Sequence, residues 1–329
     1  MKKSFAYLLL FLGILTLGSW GFLVHRISAQ LAVYALPKKM QSFFYQNTDY
    51  LVLHSVRPDQ RRNTDPTEAP KHYIDFEVYG DSAAWKMPET WEEAKAKYSA
   101  DTLKKYGTLP WRVAEIQVKL TDAFRQQNKD SILYYATEIC HYVGDAHVPL
   151  HTSLNYDGQL SGQRGIHALW ESTLPEIDLA DYQLYAKYKA KHLKNPQHQI
   201  WVILQNTNLL LKSVLEEEKK ASEMVAKSDK FVTKTGRGGK PYQAYSGIFA
   251  KAYSKKLEKT VEQQVIKTGQ HVADFWFTAW KDAECPDLRN MTTLKPEEKQ
   301  QLKIEKIEYK TNHLLAKGML RAKKQKGED

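Results

Sequence analysis

Along most of the chain apolar residues recur every three or four positions, the period of a helix with one buried face, while strand-like alternation is scarce. Residues 24–36, VHRISAQLAVYAL, form one such run and stop at Pro37. Residues 90–106 open with TWEE, which puts Thr90 at the cap and Glu93 three positions on, the arrangement of a capping box. The same period runs through 111–127, 130–144, 200–227 and 243–281. Between these runs, 57–72, 79–89, 155–165 and 233–241 are rich in Pro, Asp and Gly and read as loops. No internal repeat stands out. The pattern predicts an all-α fold in a single compact multi-helix domain, although 329 residues is long enough for two average domains.

A composition of 42% apolar and 26% charged residues excludes disorder of the whole chain. The net charge of +10 is concentrated at the ends: residues 295–329 hold ten Lys/Arg against six Asp/Glu, and Lys2 and Lys3 add two more, leaving about +4 for 20–294. Global charge therefore gives no argument for nucleic acid. The N-terminus, MKKSFAYLLLFLGILTLGS, has the basic start, apolar run and small closing residues of a secretory signal, predicting cleavage before Trp20 and an exported, periplasmic or secreted protein. The rival is an uncleaved anchor, because apolar character continues through Val24. Domain boundaries follow: signal 1–19, helical domain 20–285, and a Lys-rich extension 286–329 whose last ten or so residues are expected to be disordered. Cys140 and Cys285 are compatible with one disulfide or with two thiols.

The candidate chemistry lies in HYVGDAHVPLH, residues 141–151, and in GIHALWE, residues 165–171. Helical residues four apart share a face, so His141 pairs with Asp145 and His167 with Glu171, while His147 is turned away from the first pair. Val148 precedes a proline and leaves helical geometry, which frees His151 to turn back independently. Imidazole nitrogen and carboxylate oxygen are the ordinary non-thiolate ligands of zinc, and a site with three protein ligands keeps a position for water. One such pair is ordinary helix surface; two pairs bracketing a third histidine within 31 residues, His141 to Glu171, point to metal.

These two segments resemble the signature shared by bacterial zinc-dependent phospholipase C and the single-strand-specific nucleases of the S-one and P-one type. The resemblance implies an all-helical fold with three zinc ions in a cleft and, as first ligand, a mature N-terminal tryptophan acting through amine and carbonyl. WGFLVH supplies Trp20 and His25, HSVRPDQRR supplies Asp59, and KHYIDFE supplies His72. Carried over, one zinc takes Asp59, His72, His141 and Asp145, a second takes Trp20, His25 and the shared Asp145, and the third takes His151, His167 and Glu171. The resemblance also gives Asp59 the task of orienting or deprotonating the attacking water and Arg62 that of contacting phosphate. His147 and Asp75 are expected to support the site rather than to ligate. Beyond Glu171 the likeness is only that of helical character.

Six positive charges on three zincs, against three negative ones from Asp59, Asp145 and Glu171, suit an anionic phosphodiester and its more highly charged transition state. Which diester is left open. The nucleases end their last pair with aspartate and have a long loop between the final two histidines, whereas this chain has Glu171 and only sixteen residues from His151 to His167, as in the phospholipase. The short Trp20 to His25 spacing is nuclease-like. On balance the sequence leans to a phospholipid head group as substrate, with single-stranded nucleic acid as the alternative, Tyr156 and Trp170 as candidate stacking platforms, and Phe275, Trp276 and Trp280 as core. A third reading is a non-catalytic zinc-binding module held on a membrane surface by the basic tail. No obligate protein partner is implied.

Overall fold

The computed structural model describes residues 21–323, apart from the side chain of Arg237. The signal segment, Trp20 and the last six residues lie outside the described residues. The fold is all-α, with one two-stranded hairpin among the described residues. Its principal helices are α1 (Phe22–Ala35), α2 (Leu109–Arg125), α3 (Lys129–Asp145), α4 (Pro196–Met224), α5 (Gly247–Leu257), α6 (Thr260–Asp282) and α7 (Pro296–Lys310).

α1 is buried on all sides because it is shared between two cores. Ala29, Ala32, Val33 and Leu36 face a cluster built from α2, α3, the start of α4 and the end of α6. Leu23, Ile27, Leu31 and Tyr34 face a second cluster built from 148–184, the second half of α4, α5 and the start of α6. A helix buried around its whole circumference belongs in an interior, and Phe22 and Leu23, the described start of the apolar stretch, are packed within it. Among the described residues no helix is long and apolar enough to cross a membrane. α1 crosses α6 at Gly269, where a Cβ would lie 2.9 Å from Leu31 Cβ.

Several expected runs are divided. The 90–106 run forms two helices, Trp91–Tyr98 and Ala100–Tyr106, broken at Ser99 with φ 68°. Thr90 does cap the first, accepting the Glu93 N–H at 3.3 Å. The 243–281 run is likewise divided, with α5 and α6 separated at Glu258 and Gln243 lying in a strand. The loop expected over 233–241 is largely an antiparallel hairpin of β1 (Phe231–Thr235) and β2 (Pro241–Tyr245), paired from Phe231 opposite Tyr245 to Thr235 opposite Pro241. Gly238 and Gly239, at φ 73° and 77°, take left-handed conformations in its tip.

The 286–329 extension packs on the body as far as Lys323. α7 buries Glu305, which accepts hydrogen bonds from Tyr34 (3.0 Å) and Tyr45 (2.9 Å) and pairs with Arg321 at 3.2 Å. Leu314, Leu320 and Ala322 join the second core, so residues 320–323 of the stretch expected to be disordered are packed. Cys140 and Cys285 are both free thiols.

Candidate metal centre

Six short segments bring donors to one place where the two cores meet. His25 comes from the first turn of α1, and Asp59 from the helical turn Arg57–Arg61. His72 ends the 3-10 turn Ala69–His72, and His141 and Asp145 sit on the last turn of α3. Val148 is extended, at φ −94° and ψ 112°, and the 3-10 turn Pro149–Thr152 then carries His151 back. His167 lies in Ile166–Ala168, and Glu171 in the π-helical turn Leu169–Thr173 that continues it. Such turns are frequent at functional sites.

Asp59 Oδ1, His72 Nδ1, His141 Nε2 and Asp145 Oδ2 lie together, with both histidine nitrogens within 3.8 Å of both carboxylates. His72 lies 2.9 Å from Asp145, 3.1 Å from His141 and 3.7 Å from Asp59; His141 lies 3.4 Å from Asp145 and 3.8 Å from Asp59. Bonds of about 2.0–2.1 Å to a tetrahedral zinc imply donor separations of roughly 3.3–3.4 Å, the middle of that range. Hydrogen bonding alone does not account for the arrangement, because one proton satisfies only one of these contacts. The other oxygen of Asp145, Oδ1, lies 3.5 Å from His25 Nε2, so this carboxylate faces two donor groups at once. In the third group His151 Nε2 is 3.0 Å from His167 Nε2, which is 2.7 Å from Glu171 Oε2. Three groups, His25 with His141 and Asp145, Asp59 with His72 and His141, and His151 with His167 and Glu171, could each hold a metal ion. His25 and His141 also stack, with ring centroids 4.2 Å apart. His141 Nδ1 is committed to the Ser55 carbonyl at 2.9 Å, which leaves Nε2, 3.1 Å from His72 Nδ1, as the nitrogen open to a metal.

Electrostatics match donors awaiting a cation. Burial holds His141 well below the usual imidazole value and His151 at about 4, so both are neutral. Burial works the same way on His72, but hydrogen bonds to Asp145 and Glu68 outweigh it and push it up to about 9. Burial opposes ionisation of Asp145 too, yet the surrounding His141, His72 and His151 hold it well below the carboxylate range. Asp59 is raised, first by burial and then by the charge of Asp145. Metal binding replaces protons held in such a site.

Behind His72 is a network that the sequence did not disclose. Glu68 and Glu138 are fully buried. Arg61 bridges them, at 2.9 Å from Glu68 and 2.7 Å from Glu138, and Lys71 (2.8 Å), the Tyr142 hydroxyl and Arg112 (3.3 Å from Glu138) complete the set. Glu68 faces His72 Nε2 at 3.5 Å, on the side of the ring away from Asp145. Glu68 stands four residues before His72, but the intervening proline of APKH breaks the helical spacing that exposed the other pairs.

Two glycines fit the chain to the site. A Cβ on Gly144 would lie 2.6 Å from His25 Nδ1, and one on Gly21 would lie 2.6 Å from Glu171 Oε1. The described residues therefore begin against the Glu171 carboxylate. Arg62 is half-exposed with Nη1 3.5 Å from Asp59 Oδ1, and the exposed Tyr156 ring lies 6.1 Å from the His167 ring. Trp170 is buried in the second core and is no stacking platform; Phe275, Trp276 and Trp280 are core as expected. His147 is turned away from the three groups and meets Gln264 (2.7 Å) and His271 (2.9 Å) of α6. Asp75 is outside the groups, pushed up to about 7 by burial and by Glu77.

No curated protein matches the chain. It is similar to the solved structure of Clostridium perfringens alpha-toxin isolated from avian strain SWCP, with 14% identity and a TM-score of 0.43, covering 80% of this chain and 65% of that one. Residues 20–278 match the family model described as S1/P1 Nuclease, an extent that takes in every donor from Trp20 to Glu171, and the chain belongs to that family.

Proposed function

We propose that the protein is an exported zinc-dependent phosphodiesterase that cleaves single-stranded nucleic acid, with three zinc ions held by Asp59, His72, His141 and Asp145, by Trp20, His25 and Asp145, and by His151, His167 and Glu171. The observation that carries this reading is the set of four donors around Asp145, adjoined on either side by a further donor group. Membership of the S1/P1 nuclease family supports nucleic acid over phospholipid. Signal cleavage before Trp20 accords with Gly21 lying against Glu171, since it would leave a free amine one residue away.

Bound zinc supplies Lewis acidity and a water with a pKa near 7. The remaining work falls to side chains. Asp59 is the more exposed of the two carboxylates, 19% against 2% for Asp145, so it can accept the proton of an attacking water while Asp145 stays a fixed ligand. Arg62, beside it and open to solvent, is placed to hold a non-bridging phosphate oxygen and to offset charge developing there. Tyr156 offers a face to a base next to His167.

A second reading, cleavage of a phospholipid head group, is favoured by Leu154 and Leu160, which leave the His151 turn 39% and 69% exposed and would suit an acyl-chain rim. Parallel hydrolysis of single-stranded DNA and RNA, phosphatidylcholine and a small chromogenic phosphodiester, with and without chelator, tests both. The expected result is chelator-sensitive turnover of the small diester and of single strands, with phosphatidylcholine slower. Phosphatidylcholine as the faster substrate would reverse the choice, and chelator-resistant turnover would remove the metal from the reaction.

A further inference from the structure

A cleft of about 820 Å³ runs along one face of α2, where Trp111, Ala114 and Val118 follow at the three- and four-residue spacing that puts side chains in line. The helix Trp91–Tyr98 contributes Trp91, whose ring meets that of Trp111 edge-on with centroids 5.5 Å apart, and Pro66 and Pro70 add a further apolar wall. Val118 leaves the floor 61% exposed. None of the metal donors lines this cleft. Its volume falls within the roughly 300–1,000 Å³ of small-molecule sites, which are likewise mostly apolar with a few placed polar groups.

Most polar groups of the lining are committed within the protein. Lys71 holds Glu68 at 2.8 Å and Arg112 holds Glu138 at 3.3 Å, the buried carboxylates behind His72. Glu115 is taken by Arg112 and Lys119, Thr67 donates to Asp65, Thr108 donates to the Pro70 carbonyl, and Gln197 donates to the Glu89 carbonyl. Lys104, on the helix Ala100–Tyr106, is different: it is exposed, with no ion pair or hydrogen bond to its side chain among the described residues. Trp111 is 6% exposed, and its indole N–H, like Arg112 Nε, is buried without an acceptor among the described residues. Buried donors are ordinarily paired, so the floor keeps donors that the fold does not answer.

What remains is an apolar slot with one positive charge lacking a counter-charge, the complement of an apolar body that carries a single acidic head. A ligand with several polar groups would leave some of them unpaired there, at about 1–3 kcal/mol each. We propose that this cleft binds a small amphipathic monocarboxylate, its apolar body on Trp91, Trp111 and Val118 and its carboxylate at Lys104. No donor of the metal centre takes part, so this binding stands or falls apart from the phosphodiesterase reading.

Isothermal titration calorimetry of the zinc-loaded protein with octanoate and with 1-octanol, on wild type, Lys104→Gln and Val118→Asp, tests the proposal. Both substitutions are at exposed positions, so the fold and the metal donors stay in place. Wild type is expected to bind one octanoate, more tightly than octanol. Lys104→Gln should weaken octanoate about fivefold, equivalent to about 1 kcal/mol and the upper scale of an exposed ion pair, and leave octanol unchanged. Val118→Asp, which sets a like charge on the floor, should weaken octanoate at least as much. Octanoate bound no more tightly than octanol overturns the proposal, as does the absence of saturable binding. An octanoate Kd unchanged in either variant, the result for a carboxylate taken up by the zinc ions instead, overturns it as well.

Discussion

In a helix interior, replacing glycine by alanine ordinarily stabilises by roughly 0.5–1 kcal/mol. At Gly144, on the last turn of α3, the opposite sign is expected. A Cβ there would lie 2.6 Å from His25 Nδ1 and 2.8 Å from Cε1. The gap must open by about 0.8 Å to reach an ordinary contact of 3.4 Å. His25 has little room to retreat, because its side chain is 2% exposed and its ring is stacked on His141. Crowding of this kind costs about 1–3 kcal/mol. Zinc ligation tolerates displacements of only about 0.2 Å, so the His25 donor is lost as well; where loss of a mere supporting contact lowers affinity about 10–100-fold, loss of the ligand lowers it at least as much. Thermal melts of chelated Gly144→Ala and metal content after dialysis against buffered zinc read the two effects separately. A raised melting temperature together with full metal content would refute the close approach of His25 and, with it, the placing of that histidine in the site.

Asp59→Asn is expected to reduce turnover by at least about 100-fold, the usual scale of a general base, with metal retained through His72, His141 and Asp145; near-wild-type rates would remove Asp59 from the reaction. His167→Ala should lower the metal content by one ion per chain, since His151 and Glu171 alone remain in that group; undiminished content in elemental analysis refutes the assignment. Arg61→Gln leaves Glu68 and Glu138 buried beside fewer cations and should cost about 3–5 kcal/mol in urea denaturation, a loss under about 1 kcal/mol counting against the network. Asp274 of α6 is pushed up from 3.8 to about 6 by burial, despite hydrogen bonds from Tyr188 and the Lys191 N–H. The folded state therefore keeps a proton that the unfolded state releases, so this carboxyl costs nothing below pH 3.8 and increasingly destabilises as pH rises to 6, by up to about 3 kcal/mol. Relative to wild type, chelated Asp274→Asn should gain that amount between pH 4 and pH 7, and a pH-independent difference would contradict the shift.

The helical class was legible because apolar period survives local interruption, and for the same reason the interruptions were not. Ser99 and Glu258 each turn the chain with a positive φ on a non-glycine residue, where neither glycine nor proline marks a stop. The apolar spacing resumes in register on the far side of each. The hairpin escaped notice because its strands are five residues long, and the glycines of its tip suggested loop throughout. The two-sided burial of α1 was visible only as an excess of apolar residues, which on sequence grounds equally suited a membrane anchor.

The site divides along the same line. His141 with Asp145 and His167 with Glu171 were legible from helical geometry alone, since spacing fixes direction within a helix. Asp59 and His72 lie on turns whose directions no periodicity sets, and only the family resemblance reached them. Neither route reached the parts that set how the histidines present themselves. Ser55 O fixes the tautomer of His141 through backbone geometry that spans 86 residues. Glu68, 3.5 Å from His72 Nε2, is itself fixed by Arg61, Lys71 and Tyr142. Because a histidine binds metal through whichever nitrogen its partner leaves unprotonated, such partners bear on affinity as the donors themselves do. The donor types therefore point to the chemistry, while the pairing behind them becomes visible only when the fold brings Arg61 against Glu68 and Glu138.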